Sequence, residues 1–271
     1  MKEIKRYLRL YRVLIRQFFK VILQSKVDFL MGLFGFFFTQ IMGIAFLYLV
    51  FQQIPTLQGW TFDQLVFIYG FAQIPRGIDH LLTDNIWKVA WFLVINGDFD
   101  RYMLRPMNVL FQVICEQLQP DALGELVIGM LLVARGLGKG IVVVDGVHVV
   151  LFVLSIIAGA IIYTSIKLFF ASIAFWVKIS GPFLQTAYEL SDFAKYPTEI
   201  YTRGVRFVIT WIIPFAFVAY LPATYFLGTA RMFGGNGSLI IGVEWLIAVL
   251  FFGIAYQLFC KGIRSYESAG N

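Results

Sequence analysis

Only two cysteines and two histidines occur in 271 residues, and only 14% of the chain is charged. Cys115 and Cys260 lie in or beside apolar segments and offer neither a disulfide framework nor metal-ligand spacing. His80 and His148 fall in distant parts of the chain, on opposite expected sides, which argues against a His-based catalytic site. There is no His-Glu-x-x-His and no Gly-x-Ser-x-Gly. There is no G-x-x-x-x-G-K-[ST] either. Gly136-Leu137-Gly138-Lys139-Gly140 has the glycines and the lysine at the wrong spacing, so the chain has no P-loop of its own for ATP. Nothing points to an enzyme acting alone. A cleavable signal peptide is not expected, because the N-terminus is basic for too long and the first apolar stretch is long enough to span.

What is present is apolar. The chain is 59% hydrophobic, with a mean hydropathy of +0.78. A soluble domain carries about 25% charged residues. The composition therefore predicts an all-α, polytopic membrane protein, a single transmembrane domain over 1–271. The net charge of +6 does not suggest nucleic acid, because the basic residues flank apolar segments.

Over 1–26, Ile4, Leu8, Tyr11, Ile15, Phe18 and Ile22 recur at helical spacing and form one face. Lys5, Arg9, Arg12, Arg16 and Lys20 form another. A helix with these two faces lies flat on an anionic membrane surface. Six spans follow, at about 29–51, 60–78, 109–133, 148–170, 207–227 and 239–259. The first has 23 residues without a charge, enough for a bilayer of about 30 Å. The third is the least clean, with Glu116, Asp121 and Glu125 and with Pro120 among them. Either it spans 109–133, or 109–119 lies in the interface and the span begins near Asp121. Asp121 and Glu125 share a helical face that must meet protein, a cavity or water, and could relay protons. Lys167, near the end of the fourth span, is expected to snorkel to the headgroups. Pro214 and Pro222 break the fifth span, and a kink or re-entrant turn is expected around Tyr220-Leu221-Pro222.

The charges orient the chain. Eight Lys/Arg lie in 1–26, four in 76–107, four in 178–206 and two at the C-terminus, against Arg135, Lys139 and Arg231 on the other side. The asymmetry predicts both termini in the cytosol, with 76–107 and 178–206 as cytosolic connections. The first is the more distinctive. A ten-residue apolar run, 86–95, is too short to span and ends at Gly97, a cheap left-handed helix end. Asp98, Phe99, Asp100, Arg101, Tyr102 and Arg105 follow, and Pro106 suits the first turn of the next helix. A solvated, positive-inside loop is the simpler account of these residues; a recognition loop is the other.

The segment 97–108 resembles the G-x-F-D-x-Y-L-x-R-P-x-N signature of a bacterial ABC-2-like permease family, with Met103 in place of the usual Leu. Tyr196-Pro197 and the stretch 213–223 resemble its later motifs, so nearly the whole chain is covered. The resemblance implies a permease subunit of a type-2 ABC exporter in the bacterial cytoplasmic membrane. It implies a second permease, like or unlike, and a cytosolic ATPase subunit that carries ATP-Mg, with no cofactor in this chain. The loop 79–107 would carry the coupling helix, with Gly97, Asp98, Phe99, Asp100, Arg101, Tyr102, Arg105 and Pro106 at the ATPase contact. Arg101→Glu or Phe99→Ala would then uncouple transport while sparing insertion. Pro214 and Pro222 would form the outward gate. Substrate would contact spans one, two and five, and 18% aromatic residues favour an amphiphile. The competing readings are a proton-coupled secondary transporter using Asp121 and Glu125, which usually shows internal repeats, and a scaffold without transport.

Overall fold

The structure is a computed structural model that describes residues 26–230 and 232–267. The expected surface helix, with Lys5, Arg9, Arg12 and Arg16, lies outside the described residues. Those described form an all-helical bundle. α1 (Lys26–Gln53) contains the long uncharged run 29–51, and it sits at the edge of the bundle. Gln40 and Leu47 are buried against α2, while Phe34, Phe38 and Phe46 are exposed. Such a face is stable only in lipid or against a neighbouring subunit.

The turn between α1 and α2 is tight. Leu57 and Trp60 exchange backbone hydrogen bonds of 3.0 Å. Thr61 and Gln64 then form a reciprocal cap on α2 (Phe62–Thr83). α2 is the central element, and nearly every residue from Leu65 to Pro75 is buried. Next come α3 (Ile86–Lys88), which runs into a π-helical turn at Val89–Leu93, and α4 (Asp100–Met103).

The third expected span is not one helix. α5 (Val109–Glu116) is a short separate helix, and the chain is extended at Gln117 and Gln119. A 3₁₀ turn at Pro120–Ala122 leads into α6 (Leu123–Gly138). The break follows from Pro120, which has no N–H and pushes Gln119 out of the helical region. α6 packs along α2 through glycine. A Cβ on Gly129 would lie 3.0 Å from the Gly70 carbonyl oxygen and 2.8 Å from Ile74. Gly129→Leu is therefore expected to cost about 1–3 kcal/mol. A melting curve in detergent checks this, with Gly129→Ala as the milder comparison; a wild-type melting temperature for both would show that the helices are free to separate.

α7 (Gly146–Ser172) continues through α8 (Ala174–Val177), and α12 (Gly237–Ser265) packs along it. With α1, these are the three described helices long and apolar enough to cross a membrane. A bent pair, Arg203–Ile212 and Phe215–Phe226, forms a fourth span if taken together. α2 holds Asp63, Arg76 and Asp79, and α6 has 16 residues, so both depend on the bundle around them.

The bend of 73° lies at Pro214, and not at Pro222. Ile213 is extended, Pro214 leaves the helical region, and Ala219 is a second irregular residue. Pro222 instead stands in the first turn of α11 (Tyr220–Phe226), where a backbone N–H has no helical partner to lose.

The segment 178–206 does not remain at one end. α9 (Gly181–Glu189) and two 3₁₀ turns, Leu190–Lys195 and Thr198–Ile200, run antiparallel to α2 along its length. Tyr188 stacks on His80, Asp192 pairs with Arg76, and Lys195 lies over Tyr69. Thr198 and Glu199 reach the level of Trp60 and Gln64, at the opposite end from Asp79. The short helix α10 (Arg203–Phe207) then begins the bent pair.

Candidate functional site

Three places gather the chemistry. The first is the polar loop. Gly97 is left-handed, with φ of 76°, and reverses the chain so that the Phe99 N–H reaches the Leu93 carbonyl at 2.9 Å. Phe99 is 0% exposed and sits among Phe175, Tyr266, Tyr102 and Phe259, with ring centroids 4.9 to 6.3 Å away. Tyr102 is equally buried and donates its hydroxyl proton to Glu116. Burial and that bond push the tyrosine up to about 12. Arg101 pairs with the same Glu116 at 2.9 Å and covers the Tyr102 ring. Gln112 donates to the carbonyls of Tyr102 and Met107, and Asn108 caps α5 through the Phe111 N–H.

The signature residues thus divide. Gly97, Phe99 and Tyr102 build a platform clamped to the ends of α8 and α12. Asp98, Arg101, Met103, Leu104, Arg105 and Pro106 stand exposed on it, Leu104 at 85%. The rings of Phe99 and Tyr102 are turned inward, because the four-ring cage offers them more apolar contact than water does. They are not available to anchor in another protein.

The second place is a buried ionic network between α2, α6, α7 and the segment beside α2. Lys167 does not snorkel. It is 0% exposed, with Nζ 2.9 Å from Asp79 and 3.2 Å from Asp84. Asp79 also accepts hydrogen bonds from Thr83 at 2.6 Å, Thr164 at 2.8 Å and the Tyr188 hydroxyl. Inward pairing outcompetes the interface here because two carboxylates are within reach. One turn earlier on α2, Arg76 lies 3.8 Å from Glu125 and 2.7 Å from Asp192, which also takes Lys195 at 2.8 Å. His80 Nδ1 is 2.9 Å from Glu125.

The three carboxylates of the expected third span, two of them the expected relay, go to three different neighbourhoods. Glu125 faces Arg76 and His80, Asp121 faces Gly32 on α1, and Glu116 faces Arg101 and Tyr102. Asp79 and its partners carried little local sequence signal, since apart from Thr83, one helical turn away, its contacts join residues far apart in the chain.

The third place is a cavity of about 520 Å³ at the end of the bundle that holds the α1–α2 turn. Trp60, Thr198, Thr210, Tyr220 and Thr224 form its buried floor, and Arg203, Arg206, Phe207 and Trp211 its exposed rim. The Tyr220 hydroxyl lies 2.6 Å from both oxygens of Glu199.

The fold and the polar loop together define a membrane-embedded helical subunit, and comparison with known families gives its class. Residues 37–270 match the family model described as ABC-2 family transporter protein. The match spans most of the chain, which therefore belongs to that family. No curated protein matches it. The chain is thus a membrane-spanning permease of the ABC exporter type, a transport subunit.

Proposed function

We propose that this permease moves its substrate out across the bacterial cytoplasmic membrane with energy from a separate ATPase subunit docked on the loop 79–107. The observation that carries the reading is the exposed ridge at 98–106 on its buried aromatic platform. Met103 and Leu104 are large apolar side chains in water, flanked by Arg101 and Arg105. An apolar centre ringed by charge is the usual composition of a protein contact. A buried platform lets force on the ridge reach α8 and α12 without loss. ATP-Mg would be held by the partner. A second permease would pair with this one, and the exposed phenylalanine face of α1 is a suitable surface for it. Cytosolic termini agree with the basic residues of 76–107 and of the C-terminal end, α2 and α6 crossing inside the bundle, while Arg203 and Arg206 stand at the opposite end beside Thr224 and Thr229. The bend at Pro214 would act as the outward gate, with Pro222 starting the helix beyond it.

The test is affinity purification from native membrane. A P-loop ATPase is expected to accompany the wild-type chain. Leu104→Asp with Arg105→Glu is expected to reduce its recovery at least tenfold while the melting temperature stays within a few degrees of wild type. Full recovery of the ATPase with this double variant would move the docking surface elsewhere.

A further inference from the structure

We propose that the 520 Å³ cavity binds the headgroup of an amine-bearing phospholipid. Its size falls within the roughly 300–1,000 Å³ of small-molecule sites. Three charged residues line it: Glu199, Arg203 and Arg206. Among the described residues, Arg203 and Arg206 have no ion pair, and the hydrogen bond from Arg206 Nε to the Thr198 carbonyl, at 3.0 Å, leaves the terminal nitrogens of this cavity-lining residue uncommitted. Arg203 and Arg206 are one helical step apart on α10 and line the same cavity, which makes it a candidate anion site, and guanidinium geometry suits a phosphate.

Glu199 adds the opposite sign. The Tyr220 hydroxyl holds it as a fixed acceptor. The ring of Trp60 lies edge-on to Tyr220, with centroids 5.9 Å apart, so two aromatic groups line the same cavity as that carboxylate. A carboxylate with aromatic walls favours an ammonium group. One cavity thus offers a phosphate half and an ammonium half, a zwitterion's pattern. A simple anion would leave Glu199 opposed to it, and a simple cation would meet two arginines.

The rim supplies the third requirement, an apolar exit. Phe207 and Trp211 are more than half exposed and lead from the cavity to Ile212, which is exposed in turn. Acyl chains can lie along this ridge while the headgroup stays inside. Arginine and tryptophan are also the side chains that favour the headgroup level of a bilayer. The inference does not depend on ATPase docking, and its test needs no ATPase, so either reading can fail alone.

The experiment titrates the purified full chain in detergent with dihexanoyl phosphatidylethanolamine, dihexanoyl phosphatidylglycerol and inorganic phosphate, by calorimetry. Saturable binding of the ethanolamine lipid is expected. Arg203→Gln, at an exposed position, should weaken both lipids at least tenfold. Glu199→Gln should weaken the ethanolamine lipid alone, and Trp211→Ala both lipids without altering the melting temperature. The proposal is overturned by unchanged affinity in Arg203→Gln, by equal loss of both lipids in Glu199→Gln, by inorganic phosphate binding as tightly as lipid, or by no saturable lipid binding.

Discussion

Lys167→Met is expected to destabilise the protein by about 3–5 kcal/mol, because it leaves Asp79 as an uncompensated charge in the bundle. Both side chains are 0% exposed, and the pair is closed by Thr83, Thr164 and Tyr188. The carboxylate is shut off from bulk solvent, so Asp79 must take up a proton or draw its helix out of place. The double variant Asp79→Asn with Lys167→Met removes both charges and nearly preserves volume. It is expected to recover at least half of the loss. Unfolding followed by tryptophan fluorescence in mixed detergent measures both, and a double variant no more stable than Lys167→Met would show that the pairing does not set the cost.

Phe99→Ala is expected to cost about 3–5 kcal/mol as well, by a different route. The ring is the centre of a cage drawn from four parts of the chain: Tyr102 of α4, Phe175 of α8, Phe259 of α12 and Tyr266 just beyond it. Removing it opens a void where the loop joins two long helices. The ATPase would then be lost because the platform melts. Leu104→Asp separates the two causes, since it changes the ridge and leaves the cage whole. A Phe99→Ala protein with the wild-type melting temperature but no bound ATPase would place the ring in the partner and overturn this account.

Much of the bundle was legible in sequence. α1, α7 and α12 are long runs with few or no charges, and hydropathy alone finds them. The loop at 97–108 announced itself by its density of polar and aromatic groups, but sequence could not say which way Phe99 and Tyr102 point. Both are amphipathic positions in a loop without periodicity, and only the distant Phe175 and Phe259 fix them. Lys167 was read outward because its partners lie on α2, beyond any helical spacing. Pro214 and Pro222 look equivalent in the chain. They differ only because the helix restarts at Tyr220, which makes one proline a break and the other a first-turn residue. The hardest segment was 178–206. Its charges suggested an aqueous connection, yet Asp192 and Lys195 are matched to Arg76 and Tyr69 along α2. Charge counting treats a basic residue as a vote for one side and has no means of seeing that its countercharge waits inside.

That segment also constrains how the protein comes to be made. Residues 188–199 are too polar and too broken to enter a bilayer as an independent helix, since each unpaired backbone group in lipid costs several kcal/mol. The strip can be laid down only once α2 and α7 offer their countercharges and hydroxyls, so biogenesis must have two acts: insertion of the greasy helices, then closure of this strip between them. A chain arrested after the first act would carry its long helices in the membrane and still lack the wall of the cavity that Thr198, Glu199 and Arg203 complete.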